Sequence, residues 1–232
     1  VNEQAGGAVV MEEVGSFLWI ALAWLLGGLP TGLWLARWRG APDPTRTGSR
    51  SSGATNVGRL LGWRWGLAVL VLDVLKGVLA ALLPFLAGAT ASQAALCSVA
   101  AVLGHCASPF ARWKGGKGVA TSAGAALALH PTAALLALAP MVLVLLMWRR
   151  MAPASLTGVA AFALLAASGD GSLAPPWLGF ILLAVVLVTH RQNLGRMWHG
   201  VEPTLWGKPT GDPRWRTATE DPLDHGRDRK RV

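Results

Sequence analysis

The stretch KGGKGVATSAGAALALHPTAALLALAPMVLVLLMWRR, residues 114–150, decides the fold. Its centre, Gly118–Trp148, is 31 residues without Asp, Glu, Lys or Arg. A helix rising about 1.5 Å per residue needs about 20 apolar residues to cross the hydrocarbon core of a bilayer. The run is long for one crossing and short for two, so length leaves the choice open. Charge closes it. Lys114 and Lys117 stand before the run and Arg149 and Arg150 after it, and Lys and Arg in short loops are retained on the cytoplasmic side. Both ends share one face, so the number of crossings between them is even. A hairpin of two shortish helices, divided at His130-Pro131, is predicted.

The rest of the chain repeats this pattern. Hydrophobic residues make up 53% of the 232 and charged ones 14%, the mean hydropathy is +0.44, and the charges lie in clusters between long uncharged runs. That is the composition of a polytopic helical membrane protein. Phe17–Ala36 is a first crossing of 20 uncharged residues, kinked at Pro30. Gly66–Leu86 is a second, interrupted by Asp73 and Lys76, and Ala91–Phe110 a third, with His105 near its far end. After the hairpin come Ala152–Ser168, the turn Gly169-Asp170-Gly171, and Leu173–Thr189. The expected fold is all-α with seven transmembrane helices, N-terminus outside and C-terminus cytoplasmic. Loops 37–65, 111–117, 149–151 and the C-terminal tail then share the cytoplasmic face and hold nearly all the Arg and Lys.

Residues 1–16 contain Glu3, Glu12 and Glu13 and no Lys or Arg. They read as a polar extracytoplasmic segment and not as a secretory signal, with Met11 as an alternative start. Residues 17–202 form the membrane domain, and 203–232 a polar cytoplasmic tail expected to be disordered. The net charge of +9 belongs to cytoplasmic loops and anionic lipid headgroups and does not call for nucleic acid. Twelve Trp and no Tyr include Trp34, Trp38, Trp63, Trp65, Trp113, Trp148 and Trp198 near segment ends, where indoles anchor at headgroup level. Cys97 and Cys106 share one apolar stretch and read as small packing residues. Nothing in the sequence assigns an oligomeric state.

Three cytoplasmic segments carry candidate chemistry. In RWKGGKGVATS (112–122), Gly115, Gly116 and Gly118 surround Lys117 ahead of a small-residue run containing Thr121. Successive glycines let several N–H groups point into one concavity, and a helix N-terminus behind them adds partial positive charge. This suits a phosphate, although the spacing is not that of a Walker A loop, and an ordinary basic loop is the plain alternative. In GSRSSGATNVGRLLGWR (48–64), Ser49, Ser51, Ser52, Thr55 and Asn56 precede Arg59. These residues suit either the cap of a helix beginning near Thr55 or a second anion cradle with Arg59 as its fork. His190-Arg191-Gln192-Asn193 closes the last helix, with Arg196 and Glu202 beyond. A basic helix end is otherwise a dipole partner and headgroup anchor. Asp73 and Lys76, i,i+3 inside a crossing, suit a structural ion pair or a functional one.

GLPTG (28–32), GATN (53–56), LDVLKG (72–77), VLGH (102–105), KGGKGVATS (114–122) and HRQN (190–193) occur in order over residues 17–202. In these motifs and their spacing the chain resembles the bacterial membrane glycerol-3-phosphate acyltransferases that use acyl phosphate as donor. The resemblance implies seven transmembrane helices and three cytoplasmic motifs. It assigns Ser49 and Arg59 to the first motif, with Thr55, Asn56 and Arg50 beside them. Lys117 with Gly115, Gly116, Gly118 and Thr121 belongs to the second, and His190 and Asn193 to the third. Ser155 matches a further site serine. Together these would bind the phosphates of acyl phosphate and glycerol 3-phosphate and orient the glycerol hydroxyl, with no metal and no cofactor, beside membrane lipids. The chain departs from the family at Gly28, where a serine is usual, and at Arg50 and Ser51, where GSGN is usual. It departs again at Thr45, where an arginine is common. Arg50 either replaces that cation or faces headgroups.

An acyl phosphate is already activated, so no covalent nucleophile is required, and neither a loop thiol beside a base nor an HxxxxD pair is present. What remains is to hold the acceptor hydroxyl against the donor carbonyl and stabilise charge moving onto phosphate. His190 takes the hydroxyl proton or orients the acceptor while a substrate phosphate takes it; the sequence leaves both open. A transporter for a phosphorylated solute is the alternative from another class, though the chain has no internal repeat. A catalytically impaired lipid-binding relative is the third.

Overall fold

A computed structural model describes residues 2–168 and 173–205, with side chains from Val14 onward. The Gly169–Gly171 turn and most of the predicted tail lie outside these residues. The described chain forms ten α-helices and one 3₁₀ turn, with no strand among the described residues. In order these are α1 (Asn2–Gly28), α2 (Thr31–Trp38), α3 (Ala54–Leu61), α4 (Trp63–Leu86) and α5 (Ala91–Cys106). The 3₁₀ turn at Pro109–Ala111 follows, then α6 (Val119–Leu129), α7 (Pro131–Trp148), α8 (Met151–Ala167), α9 (Trp177–Thr189) and α10 (Arg191–Trp198).

Local chemistry sets the breaks. Pro30 has no N–H to continue α1, so the predicted first crossing is two helices meeting at Leu29-Pro30. α1 itself begins at Asn2, well before the predicted start at Phe17. Thr90 and Gln93 cap α5 reciprocally: Gln93 N donates to Thr90 Oγ1 at 3.2 Å and Thr90 N to Gln93 Oε1 at 2.6 Å. The uncharged run divides at His130 as the sequence predicts, with Pro131 at the first position of α7, where its missing donor costs nothing. The helix expected near Thr55 is α3, but Gly53 stands at its N-cap without a side-chain bond. The nearby hydroxyls and Asn56 are used elsewhere.

Four stretches, Val14–Trp38, Trp63–Leu86, Ala91–Ala111 and Pro131–Trp148, are long and apolar enough to cross a bilayer. A fifth is obtained if α9 and α10 count as one span despite the 62° bend between them. α6 and α8 are apolar but shorter, and α6 has only 11 residues. Leu135 and Leu143 on α7 are 58% exposed and Leu146 is 71% exposed, an apolar surface suited to lipid and not to water.

The interior is built mostly from alanine and glycine, so the helices approach closely. α1 packs on α5, α4 on α6, and α7 on α8. At the α4–α6 contact a Cβ on Gly77 would lie 2.0 Å from the carbonyl oxygen of Thr121, and one on Gly124 2.0 Å from that of Val74. Only glycine allows the two backbones to touch there. Cys97 is buried in a cluster with Ala23, Ala80, Ala100 and Ala101.

Candidate active site

The first loop is organised around Asn56. Its Oδ1 accepts from the Ser49 N–H at 3.0 Å, and its Nδ2 lies 2.9–3.0 Å from the carbonyls of Pro44, Thr47 and Ser51. Both ends of the amide are thereby engaged by the loop. Thr45 is buried, and its N–H and hydroxyl both donate to Asp43 Oδ1 at 2.8 Å. Arg50 is exposed and adopts φ +54°.

The glycine loop lies beside it, joined by a bond from Ser52 N to Gly115 O at 3.2 Å. Gly118, at φ +83°, turns the chain into α6. Lys117 Nζ donates to Asn193 Oδ1 at 2.5 Å, and the Lys117 carbonyl accepts from Thr189 Oγ1 at 2.9 Å. The second and third segments are thus bonded at both the tip and the backbone of Lys117.

Asn193 in turn donates from Nδ2 to Glu202 Oε1 at 2.7 Å, and Arg196 Nε donates to Glu202 Oε2 at 2.7 Å. An ammonium only donates and a carboxylate only accepts, so the Asn193 amide has one orientation. Beyond α10 the chain folds back as a strap. Leu205 N donates to Arg149 O at 2.6 Å, and Arg59 donates from Nε to Leu205 O at 3.0 Å and from Nη2 to Thr204 O at 2.9 Å. Every basic segment at this end of the bundle is therefore hydrogen-bonded to another.

Between them is a cavity of about 450 Å³. Ser49, Thr55, Asn56, Arg59, Lys117, Gly118, Ser155, His190 and Asn193 line it, and Leu67, Leu70, Met141 and Met151 supply an apolar wall. An apolar crevice between α6, α7 and α8 adjoins it and shares Val119, Met141 and Ser155. Burial pulls the Lys117 ammonium down to about 8 against the opposing pull of the Glu202 carboxylate, with Arg196 and Arg59 adding smaller downward pushes. Burial also lowers Arg59, to about 10. Burial and then the Lys117 charge push the His190 imidazole down to about 4. His190 Nδ1 lies 2.9 Å from the Val186 carbonyl; a carbonyl only accepts, so Nδ1 carries the hydrogen and Nε2 keeps its lone pair.

A family model described as glycerol-3-phosphate acyltransferase matches residues 17–200. The chain belongs to the glycerol-3-phosphate acyltransferase family. It is 41% identical over 221 residues to the glycerol-3-phosphate acyltransferase of Desulfovibrio desulfuricans, covering 90% of this chain and 97% of the relative. It is 39% identical over 201 residues to glycerol-3-phosphate acyltransferase 1 of Deinococcus radiodurans, covering 83% and 97%. The crystal structure of PlsY, an integral membrane glycerol 3-phosphate acyltransferase, in its glycerol 3-phosphate form matches with a TM-score of 0.77 at 32% identity over 82% of this chain and 94% of that one. The lysophosphatidic acid form matches with a TM-score of 0.73 at 30% identity, with the same coverage. The chain is accordingly an all-helical, multi-pass integral membrane protein.

Measured against the acyltransferase motifs, the predicted residues divide into three groups. Nine line the cavity, as given above. Gly115 and Gly116 do not line it but form the loop that carries Lys117. Arg50 and Thr121 are also absent from the lining, and Thr121 is fully buried with no hydrogen-bond partner for Oγ1 among the described residues. The family departures have local accounts. A Cβ on Gly28 would lie 2.8 Å from Pro109 Cδ, so the usual serine would crowd that proline. Ser51 Oγ accepts from Gly53 N at 3.3 Å ahead of α3. Sequence reasoning gave no role to Glu202 or His105, and it placed Thr204 and Leu205 in the tail. All but Thr204 line the cavity. A lone acid in a basic stretch was the available signal for Glu202; none marked the strap.

Proposed function

We propose that this chain acylates glycerol 3-phosphate at its 1-hydroxyl, taking the acyl group from an acyl phosphate and giving lysophosphatidic acid and inorganic phosphate, the first acylation of phospholipid synthesis. One observation carries this reading: the Lys117 loop, Arg59 and the His190/Asn193 pair surround a single cavity with an apolar crevice beside it, in a chain of this family. Two cations and a glycine loop suit phosphate-bearing substrates, and the crevice suits the start of a hydrocarbon chain whose remainder lies in lipid.

In the reaction the acceptor oxygen bonds to the acyl carbon and the bond from that carbon to the phosphate oxygen breaks. The hydroxyl proton leaves with the departing phosphate. Lys117 and Arg59 stabilise the charge that develops on that phosphate, or hold the acceptor's phosphate in place. His190, with a pKa near 4, is a weak base at neutral pH and suits orientation of the hydroxyl through Nε2; the donor's own phosphate is the better proton acceptor. Ser49, Thr55 and Ser155 offer hydroxyls at the wall, and Asn193 holds Lys117. Asn56 acts by shaping the first loop, and Gly115, Gly116 and Gly118 by shaping the second. Neither metal nor cofactor is required.

The seven-crossing arrangement of residues 17–202, with the N-terminal segment outside and the basic loops cytoplasmic, rests on the distribution of Lys and Arg. The cytoplasmic membrane of a bacterium is the corresponding location, and membrane lipids, not nucleic acid, are the surroundings. The hydrogen bonds of Thr204 and Leu205 support extending the catalytic domain through the strap. Purified protein supplied with a long-chain acyl phosphate and radiolabelled glycerol 3-phosphate should release phosphate and labelled lysophosphatidic acid in equal amounts. Efficient transfer from acyl-CoA with no phosphate present would refute the donor. Uptake of label into vesicles without product would favour a transporter.

A further inference from the structure

Beneath the glycine loop lies a buried polar cluster that the reaction described above does not use. Asp73 Oδ1 accepts from Lys76 Nζ at 2.7 Å and from Thr31 Oγ1 at 2.7 Å. Lys76 Nζ also donates to Leu29 O at 2.5 Å and to Thr31 Oγ1 at 3.1 Å. His105 Nδ1 faces the same carboxylate oxygen at 3.6 Å. Asp73, Lys76 and His105 are 1%, 4% and 6% exposed, and they peg α2, α4 and α5 together at the inner wall of the cavity, which Asp73 and His105 line.

The upper face of this peg is the floor of the Lys117 loop. Gly116 N donates to His105 O at 3.0 Å. A Cβ on Gly116 would lie 1.9 Å from His105 Nε2, and one on Gly115 2.0 Å from His105 O. The loop therefore rests with its bare Cα atoms on the end of α5: Gly116 on the His105 ring alone, Gly115 on the carbonyls of His105 and Cys106, and Gly118 against Val102 and Cys106. Ser52 and Thr189 bond to the loop backbone and Asn193 holds the tip of Lys117; under Gly116 itself the side chain in contact is His105. A ring set in a close-packed interior cannot yield as a surface side chain does, so its height sets the height of the loop.

We propose that His105 is the positioning residue of the phosphate loop: its ring, facing Asp73, fixes where Lys117 and the loop amides meet the substrate's phosphate. This rests on the acyltransferase reading given above. It also assigns a cause to the glycine at 116, which is needed for contact with His105 and not only for loop flexibility.

The test is a double-mutant cycle of Gly116→Ala and His105→Ala on the full-length protein, read in two ways. In acyl transfer, Gly116→Ala should lower kcat/KM by about thirtyfold or more when His105 is present. It should cost less than about threefold in the His105→Ala protein, where the methyl has room; contacting residues couple by about this much. His105→Ala alone should act through KM for a phosphate-bearing substrate. A merely structural role would instead reduce the amount of active enzyme, lowering apparent kcat with KM unchanged, and that result would overturn the proposal. So would additive losses in the cycle. The second readout is the melting temperature without substrate, where Gly116→Ala should destabilise only in the presence of His105. If the wild-type protein were inert towards both substrates, the proposed function would fall, and the melting cycle would then decide this inference by itself: coupling supports it and additivity overturns it.

Discussion

Lys117 offers a test in which activity and stability should move in opposite directions with pH. Its ammonium is held at about 8 instead of 10.5, chiefly by burial. If the charged form holds a phosphate, kcat/KM, which reports the free enzyme, should fall about tenfold per pH unit above about 8. Stability behaves otherwise. The unfolded chain keeps the Lys117 proton up to about pH 10.5 while the folded one releases it near 8, so between those values the unfolded state binds more protons and stability rises with pH. The penalty of the buried charge is fully present below about 8 and relieved by 10.5. Its ceiling is about 3 kcal/mol, reduced by the solvent that reaches this half-buried side chain. Lys117→Met should lower kcat/KM at pH 7 by about 30- to 1000-fold, equivalent to about 2–4 kcal/mol of lost transition-state stabilisation. It should also remove the rise in melting temperature between pH 8 and 10. Lys117→Arg, charged throughout, should retain part of the activity and lose the alkaline limb near pH 8. The assays are initial rates across pH with a long-chain acyl phosphate, and thermal unfolding in the same detergent. An alkaline limb near pH 8 that persists in Lys117→Arg would show that another group titrates, and the assigned role would fail.

Asp73→Asn leaves Lys76 buried without its carboxylate and should destabilise the protein by about 3–5 kcal/mol; pairing it with Lys76→Met should recover much of the melting temperature, and no recovery would mean that the ion pair is not the cause. Arg50→Gly should leave the acceptor KM within about twofold, because Arg50 is exposed and outside the cavity lining. The same change should raise stability by about 1 kcal/mol by relaxing φ +54°, and a severalfold rise in acceptor KM would instead make Arg50 a substitute for the missing cation at position 45. Arg59→Lys cannot reach the carbonyls of Thr204 and Leu205 with one planar fork and should lower kcat/KM about tenfold or more; wild-type kinetics would show that the strap contact is dispensable.

Periodicity and charge carried most of the fold. The run from Gly118 to Trp148 divides at His130 because Pro131 cannot continue a helix, and this is a local property written in the residues. The break at Pro30, and the identity of Asp73 and Lys76 as an i,i+3 pair, are local in the same sense. Three loops with basic residues and glycines could be assigned to one face from charge alone, and nine of the singled-out residues do meet at one cavity.

What the sequence could not decide was what each side chain would find as its partner. Thr55 and Asn56 suited a helix cap, but Asn56 instead holds the first loop, since its acceptors sit at Pro44, Thr47 and Ser51, whose carbonyls reach it only once that loop has closed. Glu202 looked like the end of the membrane domain and Leu205 the start of a tail; they enter the site because the chain reverses after α10, which brings them onto Asn193, Arg196, Arg59 and the Arg149 carbonyl. His105 and Gly116 are 11 positions apart, and no periodicity links them; only the packing of α5 under the loop brings a ring nitrogen to where a Cβ would stand. Helices and their breaks follow from forces between near neighbours in the chain. The site follows from contacts between segments distant in the chain, which exist only after the helices have packed.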